Sequence, residues 1–455
     1  MSLNVISDFK SRINSINDKQ KSLIIALILV VPVFYIYLLA LNSTDNKVTY
    51  ILNDTLLAFI MFFIASLSLD LEVGSLGLPN FGKVAFIAIG AYITTIVMNF
   101  GLFGNFFIDF MFGLVVGCAI SAFFGWLIAI PSVKLRADYF AIMTIAAGEI
   151  VRLVLQNEKR YFWTLTDAAH GIKEPLVSNS FRQNVAAVEL FGVKFSTFVS
   201  MNFGVYNLGI GNSVFFTLDL NFGQTFLWQI IVFIFFLIVA LICYAFVQII
   251  RKSPYGRTLR AIREDDITVT SVGKDVYAYR WQITVIAAII CSIAGSLFSI
   301  LNSSFEPLNF LPEMTFLLFV FIIIGGIGNS KGVAFGALII QMFTVASTSQ
   351  VIKEQMNFSL GTLIPQLNQL FQDFSLRLSI TADFTRWIVL GTILLIFLLF
   401  RPEGIIPEPK SNNENYLNLL TKEERADSDS AVNQMQSSSE KERLGSEPDN
   451  NSNEV

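Results

Sequence analysis

Ten stretches of this sequence are almost entirely apolar, and they restrict the chain to a membrane fold. The first, residues 22–41, has twenty residues and no charged side chain. A helix rises about 1.5 Å per residue, so twenty residues cross the roughly 30 Å hydrocarbon core of a bilayer. Charged residues make up 15% of the chain, whereas soluble domains carry about 25%. The sequence therefore predicts an all-α, polytopic transmembrane helix bundle.

Several of the apolar stretches are shorter than the roughly 17 residues of a full crossing. Short helices interrupted by glycine or proline must satisfy their freed backbone groups inside the protein, so they tend to line a cavity. We therefore expect about ten crossings, with short interrupted helices around a central pathway. The nine later stretches are residues 56–69, 84–98, 110–130, 139–155, 229–250, 281–301, 315–327, 333–346 and 387–400.

Basic residues indicate how the chain lies in a cell membrane, because they are enriched on the cytoplasmic side. Seven lie in residues 251–280, which we call the basic loop, and four precede the first stretch. Lys134 and Arg136 lie in another short loop, and Arg401 and Lys410 follow the last stretch. Ten crossings place all four groups on one side. We therefore expect cytoplasmic amino and carboxyl ends, with residues 157–228 and 347–386 outside the cell.

Three regions follow from this pattern: a cytoplasmic segment 1–21, a transmembrane domain 22–406 and a tail 407–455. From Glu408 onward the tail has eleven acidic and five basic residues and few large apolar ones. Such a composition cannot bury enough apolar surface to fold. We expect the tail to be a disordered, acidic cytoplasmic extension.

Side chains for catalysis or for holding a cofactor are scarce. The chain has one histidine, and its three cysteines lie in separate apolar stretches, so no metal site is expected. Residues 77–83 match the phosphate-loop spacing G-x-x-x-x-G-K, but Val84 stands where that loop needs a serine or threonine. We predict neither an enzyme nor a cofactor.

Two polar segments within the apolar region are candidates for a translocation pathway. Gly74, Gly77, Asn80 and Gly82 form either a bend anchored by Lys83 at the membrane edge or an unwound site at mid-membrane. In the second segment, Glu149 and Arg152 have the i, i+3 spacing of an ion pair on one helix face. That pair is either a structural lock or includes a pathway-lining acid. We count Thr144, on the same predicted helix, with the pathway residues.

The basic loop is long for a connection between two spans. It is either a plain surface helix or an exposed knob for a cytoplasmic partner. Ile267, Val269 and Val272 form a short apolar stripe within it. The candidate coupling residues are charged or are glycine at the end of the predicted helix: Arg257, Arg260, Arg263, Glu264 and Gly273.

Five motifs, each weak alone, occur together in this chain. They are Gly77-Leu-Pro-Asn-Phe-Gly82; Arg136-Ala-Asp-Tyr-Phe-Ala-Ile with Glu149-Ile-Val-Arg152; the basic loop; Gly325-Gly-Ile-Gly328 with Gly332 and Gly336; and Arg401-Pro-Glu-Gly404. Together they resemble the longer of the two permease types of branched-chain amino acid ABC importers. Urea and short-amide permeases are close relatives of that type. The resemblance runs from about residue 67 to 406, with lapses at 178–227 and 345–386.

The resemblance implies a permease subunit that forms the pathway for branched-chain or other hydrophobic amino acids and is driven by a separate ATPase. The implied partners are a second related permease, cytoplasmic ATPase subunits, an extracytoplasmic solute-binding protein and membrane lipid, but no nucleic acid. Residues 264–273 resemble the family's ATPase-coupling helix, with Gly273 at the motif glycine. This chain departs from the family at Lys83, usually a histidine, at Thr268-Val269, usually Ala-Ala, and at Asp167-Ala168, usually glycines.

Two alternative functions stay open from the sequence. One is a permease for urea or a short amide, because such permeases share the motifs. The other is an ion-coupled secondary carrier that works without an ATPase. A carrier of that kind needs an acid within the membrane, and the sequence suggests only Glu149.

Overall fold

A computed structural model describes residues 55–132, 137–157, 172–173, 189–190, 193–194, 202–210, 213–221, 224–302, 304–346, 382–400 and 404–408. The predicted first span, residues 22–41, lies outside these ranges. So do the tail beyond Glu408 and most of the two segments predicted to be extracytoplasmic.

Helices account for most of the described residues. Their bounds are α1 Ala58–Leu76, α2 Lys83–Phe100, α3 Phe106–Ser132, α4 Ala137–Asn157, α5 Gln224–Lys252, α6 Pro254–Glu264, α7 Asp266–Ser271, α8 Val276–Leu301, α9 Pro312–Gly325, α10 Ser330–Ala346 and α11 Ala382–Phe400. A 3-10 helix, Pro307–Phe310, lies between α8 and α9.

Short strands form three antiparallel pairs. They are β1 Ile172–Lys173 with β6 Ser304–Phe305, β2 Glu189–Leu190 with β3 Val193–Lys194, and β4 Asn202–Ile210 with β5 Ser213–Asn221. In the longest pair Asn207 lies opposite Thr217, and the register shifts between Leu208 and Gly209. Five of the six strands lie between α4 and α5, within the segment predicted to be extracytoplasmic.

Among the described residues, five helices are long and apolar enough to cross a membrane: α1 with the preceding turn, α2, α3, α5 and α8. The pair α9 and α10 adds a sixth span if the two helices are taken together. Helix α4 has 21 residues, which is also enough length, but it carries Asp138, Glu149 and Arg152. The predicted helical membrane bundle is confirmed. The described residues do not test the expected count of ten.

Helices α1, α2 and α8 form the interior of the bundle, and almost every residue of α1 is buried. Helices α3 and α5 flank this interior and expose large apolar side chains such as Val115 and Phe123 on α3 and Ile242 and Ile249 on α5. Apolar surface of this extent is expected to face lipid, because lipid tails are as apolar as the side chains that they contact.

Small residues bring α2 and α8 close together. A Cβ atom added at Gly295 of α8 would lie under 3.0 Å from the backbone of Ile87, and one added at Gly90 of α2 would meet the backbone of Ser292 in the same way. Within a membrane, helices associate largely through close packing of this kind. The two glycines therefore set the α2–α8 distance.

The chain bends by 119° between α9 and α10, across residues 326–329, which we call the glycine bend. Gly325 and Gly332 lie in such close contact that a Cβ atom on either would meet the backbone of the other. Backbone N–H groups of Ile405 and Ile406 donate to the carbonyls of Ile324 and Gly325, at 2.9 and 3.0 Å. The expected glycine-interrupted helices are present here, and the segment after α11 holds the bend from one side.

We expect Gly295→Ala to destabilise the bundle by about 1–3 kcal/mol, because the added methyl group overpacks a backbone contact. The measurement is the midpoint of thermal unfolding in a single detergent. Gly391→Ala on α11 is the matched control, since a Cβ atom there has open space. An unchanged midpoint for Gly295→Ala would show that the α2–α8 distance adapts freely.

Candidate functional site

A fully buried ion pair joins α1 to α2. The Lys83 ammonium lies 3.0 Å from the Glu72 carboxylate, and both side chains have 0% exposure. Removing two charges from water is costly, so a buried pair persists only where other polar groups complete its bonding. Lys83 Nζ donates to Ser68 Oγ at 3.0 Å, and Ser68 Oγ donates to the Ala287 carbonyl of α8 at 2.7 Å. The pair therefore links three helices.

The glycine-rich segment lies at one end of two full-length helices. Gly77 ends α1 in the left-handed conformation, at φ 76°, and α2 begins at Lys83. The segment also lies against the basic loop, since a Cβ atom at Gly77 would meet the Arg263 side chain. The flanking apolar stretches, 56–69 and 84–98, are shorter than a crossing, but the helices that contain them are not: α1 continues past its first charged residue to Leu76, and α2 runs from Lys83 to Phe100. Lys83, the expected anchor of this bend, is fully buried, and its place relative to the membrane edge stays a prediction.

Asn80, Gly82 and Thr144 come together where the glycine-rich segment meets α4. The Gly82 N–H donates to Asn80 Oδ1 at 3.0 Å, and the Phe81 N–H donates to Thr144 Oγ1 at 3.1 Å. Asn80 Nδ2 lies 3.5 Å from Glu72 Oε1. A Cβ atom at Gly82 would meet the Thr144 carbonyl. Asn80, Gly82 and Thr144, which come from two separately predicted segments, thus form one buried cluster with Glu72.

The predicted pair between Glu149 and Arg152 is confirmed. Arg152 Nε donates to both carboxylate oxygens of Glu149 at 3.0 Å, and Arg152 Nη1 donates to Gln156 Oε1 at 2.8 Å. The Arg152 side chain is 10% exposed and the Glu149 side chain 36%. The pair lies at a boundary of α4, between its buried stripe and its exposed apolar face.

The sequence interpretation missed three buried acids, so Glu149 is not the only candidate. Asp70 and Glu72 on α1 and Asp109 on α3 are all 0% exposed. Asp70 Oδ2 lies 2.6 Å from Arg251 Nη2 at the end of α5, and Asp70 Oδ1 accepts from the Gly328 N–H at 2.8 Å. Asp70 directly follows the predicted apolar stretch 56–69, and Glu72 lies two residues further on. The predicted stretch ends before the first charged residue, whereas the helix continues to Leu76.

The basic loop folds into two helices with an inner and an outer face. In α6, Gly256, Leu259 and Ile262 are buried, and Arg257 and Glu264 are exposed at helical spacing. The Ser253 side chain caps α6 by accepting from the Gly256 N–H. The predicted coupling residues of α6 therefore lie on two faces: Arg257 and Glu264 on the outer one, and Arg260 and Arg263 on the inner one. The inner two bond to the bundle, since Arg260 donates to the Arg251 carbonyl and Arg263 donates to the Gly74 carbonyl.

Helix α7 presents apolar side chains to solvent. Ile267 is 78% exposed and Val272, just after the helix, 75%. Val269 is buried, so the predicted stripe of three has two exposed members. Asp265 caps α7: its carboxylate accepts from the Ile267 N–H at 2.9 Å and from the Thr268 hydroxyl. The Thr268 hydroxyl and then the Ile267 N–H hold the pKa of Asp265 below its ordinary value.

Gly273 ends the exposed segment with φ 80°, a left-handed backbone that favours glycine. A Cβ atom there would meet nothing within 4 Å. The glycine is therefore required by the turn and not by packing. Arg280, near the start of α8, forms an ion pair with Asp266 and fastens α7 to the bundle.

Known proteins match most of this chain. The family model described as the permease component of the branched-chain amino acid transport system matches residues 51–372. A probable branched-chain amino acid transport permease protein, LivM of Methanocaldococcus jannaschii, is 28% identical over 382 residues, which is 78% of this chain and 92% of that protein. The high-affinity LivM of Escherichia coli is 25% identical over 391 residues, which is 86% of this chain and 75% of that protein.

One more distant relative is named for nucleosides and not for branched-chain amino acids. The nucleoside ABC transporter permease protein NupC of Lactococcus lactis is 22% identical over 273 residues, covering 59% of this chain and 73% of that protein. No solved structure matches the chain significantly.

We expect Lys83→Met to destabilise the bundle by roughly 3–5 kcal/mol, because it leaves the Glu72 carboxylate buried and unpaired. The double variant Glu72→Leu with Lys83→Met should regain most of this loss, since an apolar pair of similar volume replaces the ion pair. Thermal unfolding of the two single variants and the double variant forms a double-mutant cycle. Losses that simply add would contradict a direct interaction between these two side chains.

Proposed function

We propose, since this chain belongs to the family of permease components of the branched-chain amino acid transport system, that it forms the solute pathway of an importer driven by a separate ATPase. The match covers 322 residues, from 51 to 372, and so includes the described helices from α1 to α10. The chain is a multi-pass membrane protein. The energy source, the solute, the orientation and the partners belong to the proposal.

The exposed surface of the basic loop supports an ATPase partner. Two large apolar side chains, Ile267 and Val272, project from a segment that is otherwise polar and capped. Arg257 and Glu264 lie on the outward face of the adjacent helix. An apolar anchor with a charged rim is typical of protein interfaces. We assign this surface to the cytoplasmic ATPase, whose movement on ATP binding would displace α6 and α7.

Little in the structure supports an energy source for transport within the chain itself, either a bound nucleotide or a coupling ion. The lysine of the phosphate-loop-like segment, Lys83, is fully buried against Glu72, so it does not face a nucleotide. Of the three buried acids, Asp70 and Glu72 each form an ion pair with a basic side chain, and a carboxylate neutralised in this way is less available to a coupling ion. Both observations favour an external motor over a secondary carrier.

The solute proposed is a branched-chain or other hydrophobic amino acid, delivered by an extracytoplasmic binding protein. The family description and the LivM relatives support this class. The cluster of Asn80, Gly82, Thr144 and Glu72 is the proposed contact region on the pathway, together with Gly74 and Gly77 beside it. Glu149 stays a proposed pathway residue at the edge of α4. Urea or a short amide is the second candidate solute.

The central test is transport by the reconstituted complex. We expect the chain to copurify with an ATPase and a second permease, and the complex to accumulate labelled leucine in proteoliposomes only with ATP and binding protein. Excess isoleucine and valine should compete, and excess urea should not. Accumulation of leucine against a gradient by the isolated chain, without ATP, would overturn the proposal.

We expect Ile267→Glu to weaken binding of the ATPase by roughly tenfold or more, because it places a charge in the apolar centre of the interface. Glu264→Lys and Gly273→Val should abolish solute-stimulated ATP hydrolysis, through reversed charge and a strained backbone respectively. Copurification and ATP hydrolysis are the measurements, and Ile267→Val is the matched control. Normal ATPase binding by Ile267→Glu would remove α7 from the interface.

The proposed orientation predicts where protease reaches the chain. In inside-out vesicles, protease should cleave the tail beyond Pro409, because the carboxyl end faces the cytoplasm. The same protease should leave the tail intact in right-side-out cells. Protection in inside-out vesicles would reverse the orientation.

A further inference from the structure

The inner face of the basic loop is bonded to one short region of α1. Arg251 Nη2 donates to the Asp70 carboxylate at 2.6 Å and to the Asp70 carbonyl at 3.0 Å. Arg263 donates to the carbonyl of Gly74, one helical turn further along. Arg251 lies in the last turn of α5, just before α6, and Arg263 lies near the end of α6, so the chain is held against α1 on both sides of that helix.

The same region of α1 holds the glycine bend. The Gly328 N–H donates to Asp70 Oδ1 at 2.8 Å. Arg251 Nη1 donates to the Gly328 carbonyl at 3.2 Å and to Ser330 Oγ at 2.8 Å. Gly74 leaves room for this contact, because a Cβ atom there would meet both Asp70 Oδ1 and the Gly328 backbone. One guanidinium and one carboxylate therefore join the basic loop, α1 and the bend.

We propose that Arg251 and Arg263 are positioning residues that carry movement of the basic loop to the glycine bend, with Asp70 and Gly74 as their receivers on α1. This inference rests on the proposed function, because it assumes that a partner moves the basic loop. The movement would enter the membrane helices at the end of α1, and the pair α9 and α10 would respond.

The bonds between Arg251 and Asp70 are suited to transmitting movement from the basic loop to α1, because they are buried and charge-assisted. The Arg251 and Asp70 side chains are 7% and 0% exposed, so water does not compete for their hydrogen bonds. Charge-assisted bonds from a guanidinium fork are strong and fixed in direction. A link of this kind moves as a unit, whereas an exposed ion pair between flexible side chains yields easily.

The bend is also the element able to respond. Residues 326–329 connect α9 and α10 without continuing either helix, so the angle between the helices depends on their packing at Gly325 and Gly332 and on contacts from outside the pair. On one side these contacts come from Asp70 and Arg251. On the other, Ile405 and Ile406 bond to α9, and Asn329 Nδ2 donates to the Pro407 carbonyl at 3.0 Å. Displacement of one side relative to the other changes the angle, as a hinge requires.

The arginines differ from the proposed docking residues in the direction that they face. Arg257 and Glu264 are exposed on the outer face of α6, and Arg263 reaches the backbone of α1 from the inner face. Loss of Arg263 should therefore leave the docking surface in place. Docking and coupling can then be measured separately in the same complex.

The test uses the full permease–ATPase complex in proteoliposomes with binding protein and leucine. The variants are Arg263→Ala, which removes the bond to Gly74, and Ser330→Ala, which removes one acceptor of Arg251 at the bend. We expect solute-stimulated ATP hydrolysis and leucine uptake to fall roughly tenfold in Arg263→Ala and by less in Ser330→Ala. Copurification of the ATPase should stay within about twofold of the wild-type level, since the outer surface is unaltered.

Lys252→Ala is the matched control, because Lys252 neighbours Arg251 but is exposed; its hydrolysis and uptake should stay at wild-type levels. Arg251→Lys keeps the charge but removes the two-pronged guanidinium that bonds to both Asp70 and Ser330. Its effect on leucine uptake should be non-additive with that of Ser330→Ala in a double-mutant cycle. Gel filtration checks folding, and if Arg251→Lys misfolds, Arg263→Ala and Ser330→Ala still decide the question.

Two results would overturn the proposal. Wild-type coupling in both Arg263→Ala and Ser330→Ala would show that the contacts are only structural. Loss of ATPase copurification in Arg263→Ala would assign that arginine to the docking surface. Failure of the proposed function itself looks different: the wild-type chain would then bring no ATPase with it.

Discussion

Burying a charge inside a membrane bundle is costly unless a partner group compensates it, and two such charge pairs organise the polar contacts at the end of α1. Glu72 is paired with Lys83, and Asp70 with Arg251. The first pair joins α1 to α2, and the second joins α1 to α5. Since breaking such a pair strands a buried charge, the pairs fix which helices move together. The end of α1 carries both, and is therefore the natural junction of the bundle.

Glycine complements these pairs by setting distances. Gly90 and Gly295 bring α2 against α8, and Gly325 and Gly332 bring α9 against α10. Lipid gives little hydrophobic drive for helices to associate, so close backbone packing supplies much of the stability. At the end of α1, a buried ion pair and a close glycine contact occur together. The absence of a side chain at Gly74 lets the Asp70 carboxylate reach the backbone of the glycine bend.

The basic loop separates two tasks on one amphipathic helix. Its outer face carries exposed charges and leads to the exposed Ile267 and Val272, as a surface for a partner requires. Its inner face bonds to α1 and to the end of α5. Both faces fit the proposal that another subunit drives this permease, because one face would receive force and the other would pass it on.

The sequence alone determined the membrane bundle, the presence of short interrupted helices, the Glu149–Arg152 contact and the basic loop, although it counted α9 and α10 as two separate crossings. Each of these depends on composition or on residues within one or two helical turns, where spacing fixes geometry. It did not reveal the buried pairs at Asp70 and Glu72, or the division of Arg260 and Arg263 from Arg257 and Glu264. The partners of Asp70 and Arg263 lie 181 and 189 positions away. Only the packing of helices decides such contacts, because the local pattern ends an apolar stretch at a charge whether or not the helix continues into the core.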